Sequence, residues 1–209
     1  TRVGIVTINK KWEKYFQAEC SYLTKDYLQE TYPMELGDDN VFINSSLIPT
    51  AELLSEIENL ETNQVLKFND VVCALRVNKK EAENFDFEKC CQGNSIQLIS
   101  NCVKINSTFD IFKMNGDCIE QDFKILTKGK KSQPLSKTNQ VLGDNDIFIE
   151  RGAKVECSIL NTTNGPIYIG KNAEVMENSV IRGPFALCKG GVVKMSAKIY
   201  GPTTVGPYC

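Results

Sequence analysis

Through the last third of the chain, apolar residues return at every sixth position. Ile169, Val175, Ile181, Leu187, Val193, Ile199 and Val205 form one unbroken column, and Ile167, Ala173, Ser179, Phe185, Gly191, Ala197 and Thr203, mostly small, stand two residues ahead of them. A helix repeats every 3.6 residues and an alternating strand every two, so neither holds a step of six for this long. The pattern predicts a hexapeptide solenoid: each hexad forms one flat face of a three-sided prism, with its aliphatic residue inward, the small residue near the corner and polar residues toward water. Three hexads close a coil, and coils bury their interior only by stacking. Gly170, Gly183, Gly190, Gly201 and Gly206 fall near the predicted corners, where positive φ costs a glycine little. Pro184, Pro202 and Pro207 also fall in turn portions.

The six-residue step reaches back to Ile149 and Val155. From Val155 to Ile169 the spacing is two residues too long. The turn-prone segment 160–165, Leu-Asn-Thr-Thr-Asn-Gly, is where the excess is expected to bulge out of a corner.

Before the solenoid, strand and helix signals alternate. Residues 3–8 are an apolar, β-branched run, and Trp12, Tyr15 and Phe16 follow at helical spacing on one buried face. A short strand is expected at 20–23 and a helix capped by Thr24 that stops at Pro33. A strand covers 41–43, and Thr50 caps a helix with the stripe Leu53, Leu54, Ile57 and Leu60. Residues 65–68 and 71–77 flank Asn69-Asp70 as a hairpin. A helix over 79–91, carrying Ala82, Phe85 and Phe87, one or two strands within 96–105, and a helix through 110–115 complete the series. This order predicts an α/β layer with parallel pairing. Residues 124–139 are basic and polar, with Gly129 and Pro134, and read as a solvated connector rather than a nucleic-acid patch at Lys128, Lys130 and Lys131. The domain boundary is placed at Leu142-Gly143, giving an α/β domain with connector over 1–142 and the solenoid over 143–209.

A net charge of −2 argues against a general polyanion binder, and no apolar run approaches a membrane span or a leader. The expected setting is cytoplasmic. Nine cysteines are scattered through core-like sequence, Cys73 and Cys188 among them, and read as small buried hydrophobes. Cys90-Cys91 is not a CxxC pair, and no histidine is present to complete a mixed Cys/His zinc set, so the cysteines are weak evidence for a metal site. The absence of histidine also removes the imidazole base on which many hydrolases and acyltransferases depend. The chain starts at Thr1 and stops at Cys209 inside a repeat, so it reads as a fragment lacking part of the α/β domain and the solenoid's last coils.

Arg2-Val3-Gly4-Ile5 with Lys11-Trp12-Glu13, Ile43-Asn44 with Leu47-Ile48-Pro49, and the Gly-Pro-containing hexads at 165–170, 181–184 and 199–207 carry a resemblance over nearly the whole chain. It resembles the sugar-phosphate nucleotidyltransferases with a left-handed β-helix tail. The best known of these is the bifunctional N-acetylglucosamine-1-phosphate uridyltransferase and glucosamine-1-phosphate acetyltransferase. It looks still more like a group of sugar nucleotidyltransferases from Bacteroidetes-type bacteria. The resemblance implies left-handed coiling, a homotrimer through the β-helix, and transfer of a nucleotidyl group from a nucleoside triphosphate to a sugar 1-phosphate, with Mg²⁺ and release of pyrophosphate.

In that family phosphate binding begins at a glycine- and arginine-rich loop that this sequence does not contain. Arg2 is then the nearest cation, Lys11 a second, and Asn44 ends a strand where relatives approach nucleotide or metal, usually with Asp. Each also has a plain reading: Arg2 as a solvated strand start, Lys11 as an exposed helix residue, Asn44 as a turn former. The alternative chemistry is hexapeptide acyl transfer from acetyl-CoA to an amino sugar, with Arg182, Lys194 and Tyr200 holding phosphate or pantetheine in a groove between prisms. A noncatalytic, trimeric sugar-nucleotide-binding protein is the third reading.

Overall fold

The computed structural model describes residues 1–86 and 94–209. The chain divides into two compact units, one made of Thr1–Thr7 with Ser107–Cys209 and the other of Ile8–Asn106. The first unit therefore starts, breaks off, and resumes a hundred residues later. Phe87, Cys90-Cys91 and the far end of the helix expected over 79–91 lie outside the described residues.

The unit Ile8–Asn106 holds α1 (Ile8–Phe16), α2 (Asp26–Gln29), β1 (Asp39–Ile43), α3 (Ala51–Glu58), β2 (Gln64–Phe68), β3 (Val71–Asn78), α4 (Lys79–Glu83) and β4 (Asn94–Gln97). Thr50 caps α3 by accepting the Leu53 amide at 3.1 Å, and the predicted stripe buries Leu53, Ile57 and Leu60. The sheet runs β1-β3-β2-β4, with β1/β3 and β2/β3 antiparallel and only β2/β4 parallel. The predicted hairpin is present, while the parallel pairing expected for the rest of the layer holds only for β2/β4 and β1 joins antiparallel. The two residues Asn69-Asp70 can join only antiparallel neighbours, and β1 then pairs with β3 rather than with β2. Residues 20–23 form no strand, and α2 starts after Lys25 without a side-chain cap, so Thr24 does not play its predicted part.

The other unit carries a three-sided parallel β-solenoid of about three turns, consistent with a left-handed β-helix. Its strands are β5 (Gln140–Leu142), β6 (Ile147–Ile149), β7 (Lys154–Val155), β8 (Ile159–Asn161), β9 (Ile167–Ile169), β10 (Glu174–Val175), β11 (Val180–Arg182), β12 (Phe185–Leu187), β13 (Val192–Val193), β14 (Lys198–Ile199) and β15 (Thr203–Val205). They fall in strict rotation onto a first face (β5, β8, β11, β14), a second (β6, β9, β12, β15) and a third (β7, β10, β13). Ile169, Val175 and Ile181 thus sit on consecutive faces, and Ile169, Leu187 and Val205 stack in register on the second. Leu160 is the inward residue of β8, opposite Ile181, so the expected bulge falls between it and Ile169. The buried seryl groups close corners: Ser179 donates from Oγ to the Met176 carbonyl at 2.8 Å and to that of Lys194 at 3.2 Å.

The corners are built differently from the expectation. Positive φ is taken by Asn172, Cys157, Asn178 and Ser196 as well as by Gly152 and Gly190, whereas Gly183 and Gly201 precede cis prolines and do not use it. Gly183 is needed for space, because a Cβ there would lie 2.1 Å from the Gly165 carbonyl oxygen.

Helices α5 (Asp110–Lys113) and α6 (Asn115–Thr127) belong to this same unit. Ile119, Phe123 and Leu126 of α6 pack on the outward side chains of the second face, Phe148, Tyr168 and Ala186. Phe148 stacks on Tyr168 at 6.1 Å and meets Phe123 edge-on at 6.5 Å. The expected connector is therefore partly structured. Its start is the end of α6, Lys128, Lys130 and Lys131 are exposed, and residues 133–139 are tied to the first coil. Gln133 Nε2 donates to the Ala153 carbonyl at 2.9 Å, and Asn139 Nδ2 to that of Val155 at 2.7 Å.

Candidate functional site

The apolar run at 3–8 does not become a strand. Its backbone is held by side chains instead: Asp122 Oδ2 accepts the Ile5 amide at 2.7 Å and the Val6 amide at 3.1 Å, and Asn115 Oδ1 accepts that of Gly4 at 2.8 Å. Thr204 Oγ1 donates to the Gly4 carbonyl at 3.1 Å. Gly4 has φ +76°, and a Cβ there would lie 2.6 Å from Asp122 Oδ2, so the turn that presents these amides needs glycine. Asp122 is a buried carboxylate on α6, and only an isolated bridge between Arg2 and Thr7 remains of the strand.

Arg2 is anchored within this arrangement. Its guanidinium donates to the Ile5 carbonyl and, at 3.7 Å, to Cys188 Sγ, whose thiol in turn donates to the same carbonyl at 3.5 Å. Burial pushes the Cys188 thiol above its ordinary value, the nearby guanidinium only partly opposing this. Arg2 is half-buried and structurally engaged, not a solvated strand start.

Lys11 and Asn44 lie in the other unit. Lys11 is 3% exposed on α1, which corrects its reading as an exposed helix residue. Its neighbour Trp12 donates from Nε1 to the Leu47 carbonyl at 3.2 Å, fastening α1 to the loop that follows β1. Asn44 opens that loop: Nδ2 donates to the Val72 carbonyl at 3.0 Å, while Oδ1 accepts from the Ser46 amide at 3.1 Å and the Ser46 hydroxyl at 2.7 Å. Every polar atom of the carboxamide is thus used in shaping the turn. A protein-bound Mg²⁺ asks for oxygen donors, carboxylates above all. Asn44 offers a neutral oxygen already accepting two hydrogen bonds, and among the described residues no three His, Cys, Asp or Glu side chains converge. Asn44 is thus committed to its turn rather than to an ion.

On the solenoid, Arg182 and Tyr200 come together on successive coils of the first face, the guanidinium 5.5 Å from the ring centroid. Both are exposed. Lys194 follows β13, at a different corner, and joins neither. A cavity of about 400 Å³ beside the first coil, lined by residues that include Leu135, Ile149, Lys154 and Glu156, contains none of the six candidates.

The residues missed from sequence are Asn115, Asp122 and Thr204. Asp122 had a readable signal: it stands within the stripe Ile119, Phe123 and Leu126, where a carboxylate is expected only if it has work to do. The second face was also readable in the all-apolar triplets Ile147-Phe148-Ile149, Ile167-Tyr168-Ile169 and Phe185-Ala186-Leu187, which mark strands covered on both sides. A family model described as sugar nucleotidyl transferase matches residues 1–131. No curated protein and no solved structure matches the chain significantly.

Proposed function

Because the chain belongs to the sugar nucleotidyl transferase family, we propose that it transfers a nucleotidyl group from a nucleoside triphosphate to a sugar 1-phosphate, releasing pyrophosphate. The family match over residues 1–131 carries this reading. The reaction brings a phosphate oxygen of the sugar to the α-phosphorus and expels pyrophosphate, so charge must be balanced and the attacking oxygen held in line. Two observations support the loop after β1 as the place of approach. The loop opening at Asn44 is held from two sides, by the Val72 carbonyl and by that of Val103, so its backbone is set in one shape before any substrate arrives. Lys11, buried beside Trp12, is a cation whose field is little screened by solvent. In this reading Lys11 counters phosphate charge and Asn44 is a positioning residue that fixes the turn, while Arg2 holds the N-terminal segment in place.

The test is a pyrophosphate-release assay crossing the common nucleoside triphosphates with hexose and hexosamine 1-phosphates. Turnover that requires both substrates is expected, and its loss in Lys11→Met with folding retained would locate the charge. Folded protein giving no pyrophosphate with any pair would overturn the proposal. Acyl transfer from acetyl-CoA to an amino sugar is a second reading, favoured by the exposed Arg182–Tyr200 pair, which suits a phosphate beside an aromatic ring; thiol release from acetyl-CoA tests it. We also propose a homotrimer through the solenoid, on which Val141, Leu142 and Tyr200 stay exposed on the first face. Sedimentation equilibrium reads this directly.

A further inference from the structure

Cys73 on β3 and Cys102 beyond β4 face each other with their sulfurs 3.9 Å apart, and both are free thiols. Neither takes part in the function proposed above. Their surroundings are specific. Cys73 offers its carbonyl to the Asn44 amide at 2.9 Å, and Val72, beside it, receives the Asn44 carboxamide. On the other side, the residues after Cys102 pair with the same loop: the Ile48 amide donates to the Val103 carbonyl at 2.9 Å and the Ile105 amide to that of Ser46 at 2.9 Å. The loop 44–48 is therefore clasped between two backbone strips, each carrying one of the thiols. The approach to Cys102 is fixed by α3, where Glu56 accepts the amides of Ile99 and Ser100, both at 2.9 Å.

We propose that Cys73 and Cys102 form a disulfide when the protein meets a hydroperoxide, and that this bond staples together the two strips clasping the loop after β1. The roles of the two thiols differ. Cys102 is half-exposed and meets the oxidant; Cys73 is buried and resolves the product. Burial and the neighbouring thiol push the Cys73 thiol up, so the more exposed Cys102 is the one placed to meet an oxidant first. The Cys102 thiolate attacks one peroxide oxygen, the O–O bond breaks, and a sulfenic acid forms as water leaves. The Cys73 sulfur then attacks the Cys102 sulfur, the S–S bond forms, the S–O bond breaks, and a second water leaves. Two thiols are oxidised and one hydrogen peroxide is reduced to two waters.

The experiment exposes the reduced protein to hydrogen peroxide, blocks remaining thiols by alkylation, and maps the peptides by mass spectrometry. A peptide joining Cys73 to Cys102, two hydrogens lighter than the separate thiols and cleaved by dithiothreitol, is the expected result. Amides of residues 44–48 should exchange with deuterium at least several-fold more slowly in the oxidised form. Cys102→Ser should abolish the link while leaving the reduced protein's melting temperature unchanged, and Cys73→Ala serves as the second variant. Equal alkylation of both thiols before and after peroxide would overturn the proposal. So would sulfenic acid that stays on Cys102, or a link from Cys102 to any other cysteine. None of these readouts depends on nucleotidyl transfer.

Discussion

Replacing Asp122 tests how the N-terminal segment is held. One carboxylate oxygen takes the amides of Ile5 at 2.7 Å and Val6 at 3.1 Å, and the residue is 4% exposed. In Asp122→Ala both donors lose a charged acceptor. Leaving a buried donor unpaired costs about 1–3 kcal/mol. Ile5 lies in the interior, so its amide bears the full cost, whereas Val6 is half-buried and water can meet part of its need. The sum is about 3 kcal/mol, or roughly a hundredfold in the local opening equilibrium. Asp122→Asn keeps an acceptor oxygen of the same reach but drops the charge, and charge-assisted bonds are roughly twice as strong as neutral ones, so about half the cost should remain. Hydrogen exchange at Gly4, Ile5 and Val6 measures this directly, since protection there reports the opening of this segment alone. Asp122→Ala within about 0.5 kcal/mol of the parent would refute the reasoning, since that is the ordinary scatter of surface changes. Equal losses in the two variants would show that shape, not hydrogen bonding, anchors the segment.

Val193→Asp should lower the solenoid's melting temperature sharply, because the site is 4% exposed inside the prism and a carboxylate finds no partner there; an unchanged melting curve would mean the column does not face inward. Gly183→Ala should destabilise by about 1–3 kcal/mol in urea denaturation, since its Cβ would press on the Gly165 carbonyl and backbone cannot step aside as a side chain can. Glu56 supplies a pH test. Burial alone would raise its carboxyl, but the amides of Ile99 and Ser100 outweigh that and hold it below the ordinary value. Its contribution is then fully present above the unfolded pKa and is lost as pH falls through the lower, folded one, so exchange at Ile99 and Ser100 should accelerate on acidification below about pH 4, and Glu56→Gln should remove that dependence.

The solenoid was legible because a step of six has no competitor among regular structures, and its rotation over three faces follows from the column alone. The α/β unit was legible in the Thr50 cap and the Asn69-Asp70 hairpin, which act locally, but not in the Thr24 cap or in the direction of β1, which depends on a partner far along the chain. Residues 3–8 show why propensity misled. Their β-branched composition is genuine, yet Asp122, more than a hundred residues away, takes the amides that a ladder would have used. The candidate site was less legible still. Asn44 is a turn former as its residue type suggests, whereas the burial of Lys11 and the engagement of Arg2 depend on tertiary surroundings that spacing does not encode. Arg182 and Tyr200 could have been paired from their separation of eighteen positions, one full coil.

By laying α6 across the second face, the chain spends one side of its prism on itself. Within this unit the first face carries no such helix, and Val141, Arg182 and Tyr200 stand exposed along it. A rod roofed on one flank cannot be met there, so a copy that stacks on the prism itself has to use another of its sides.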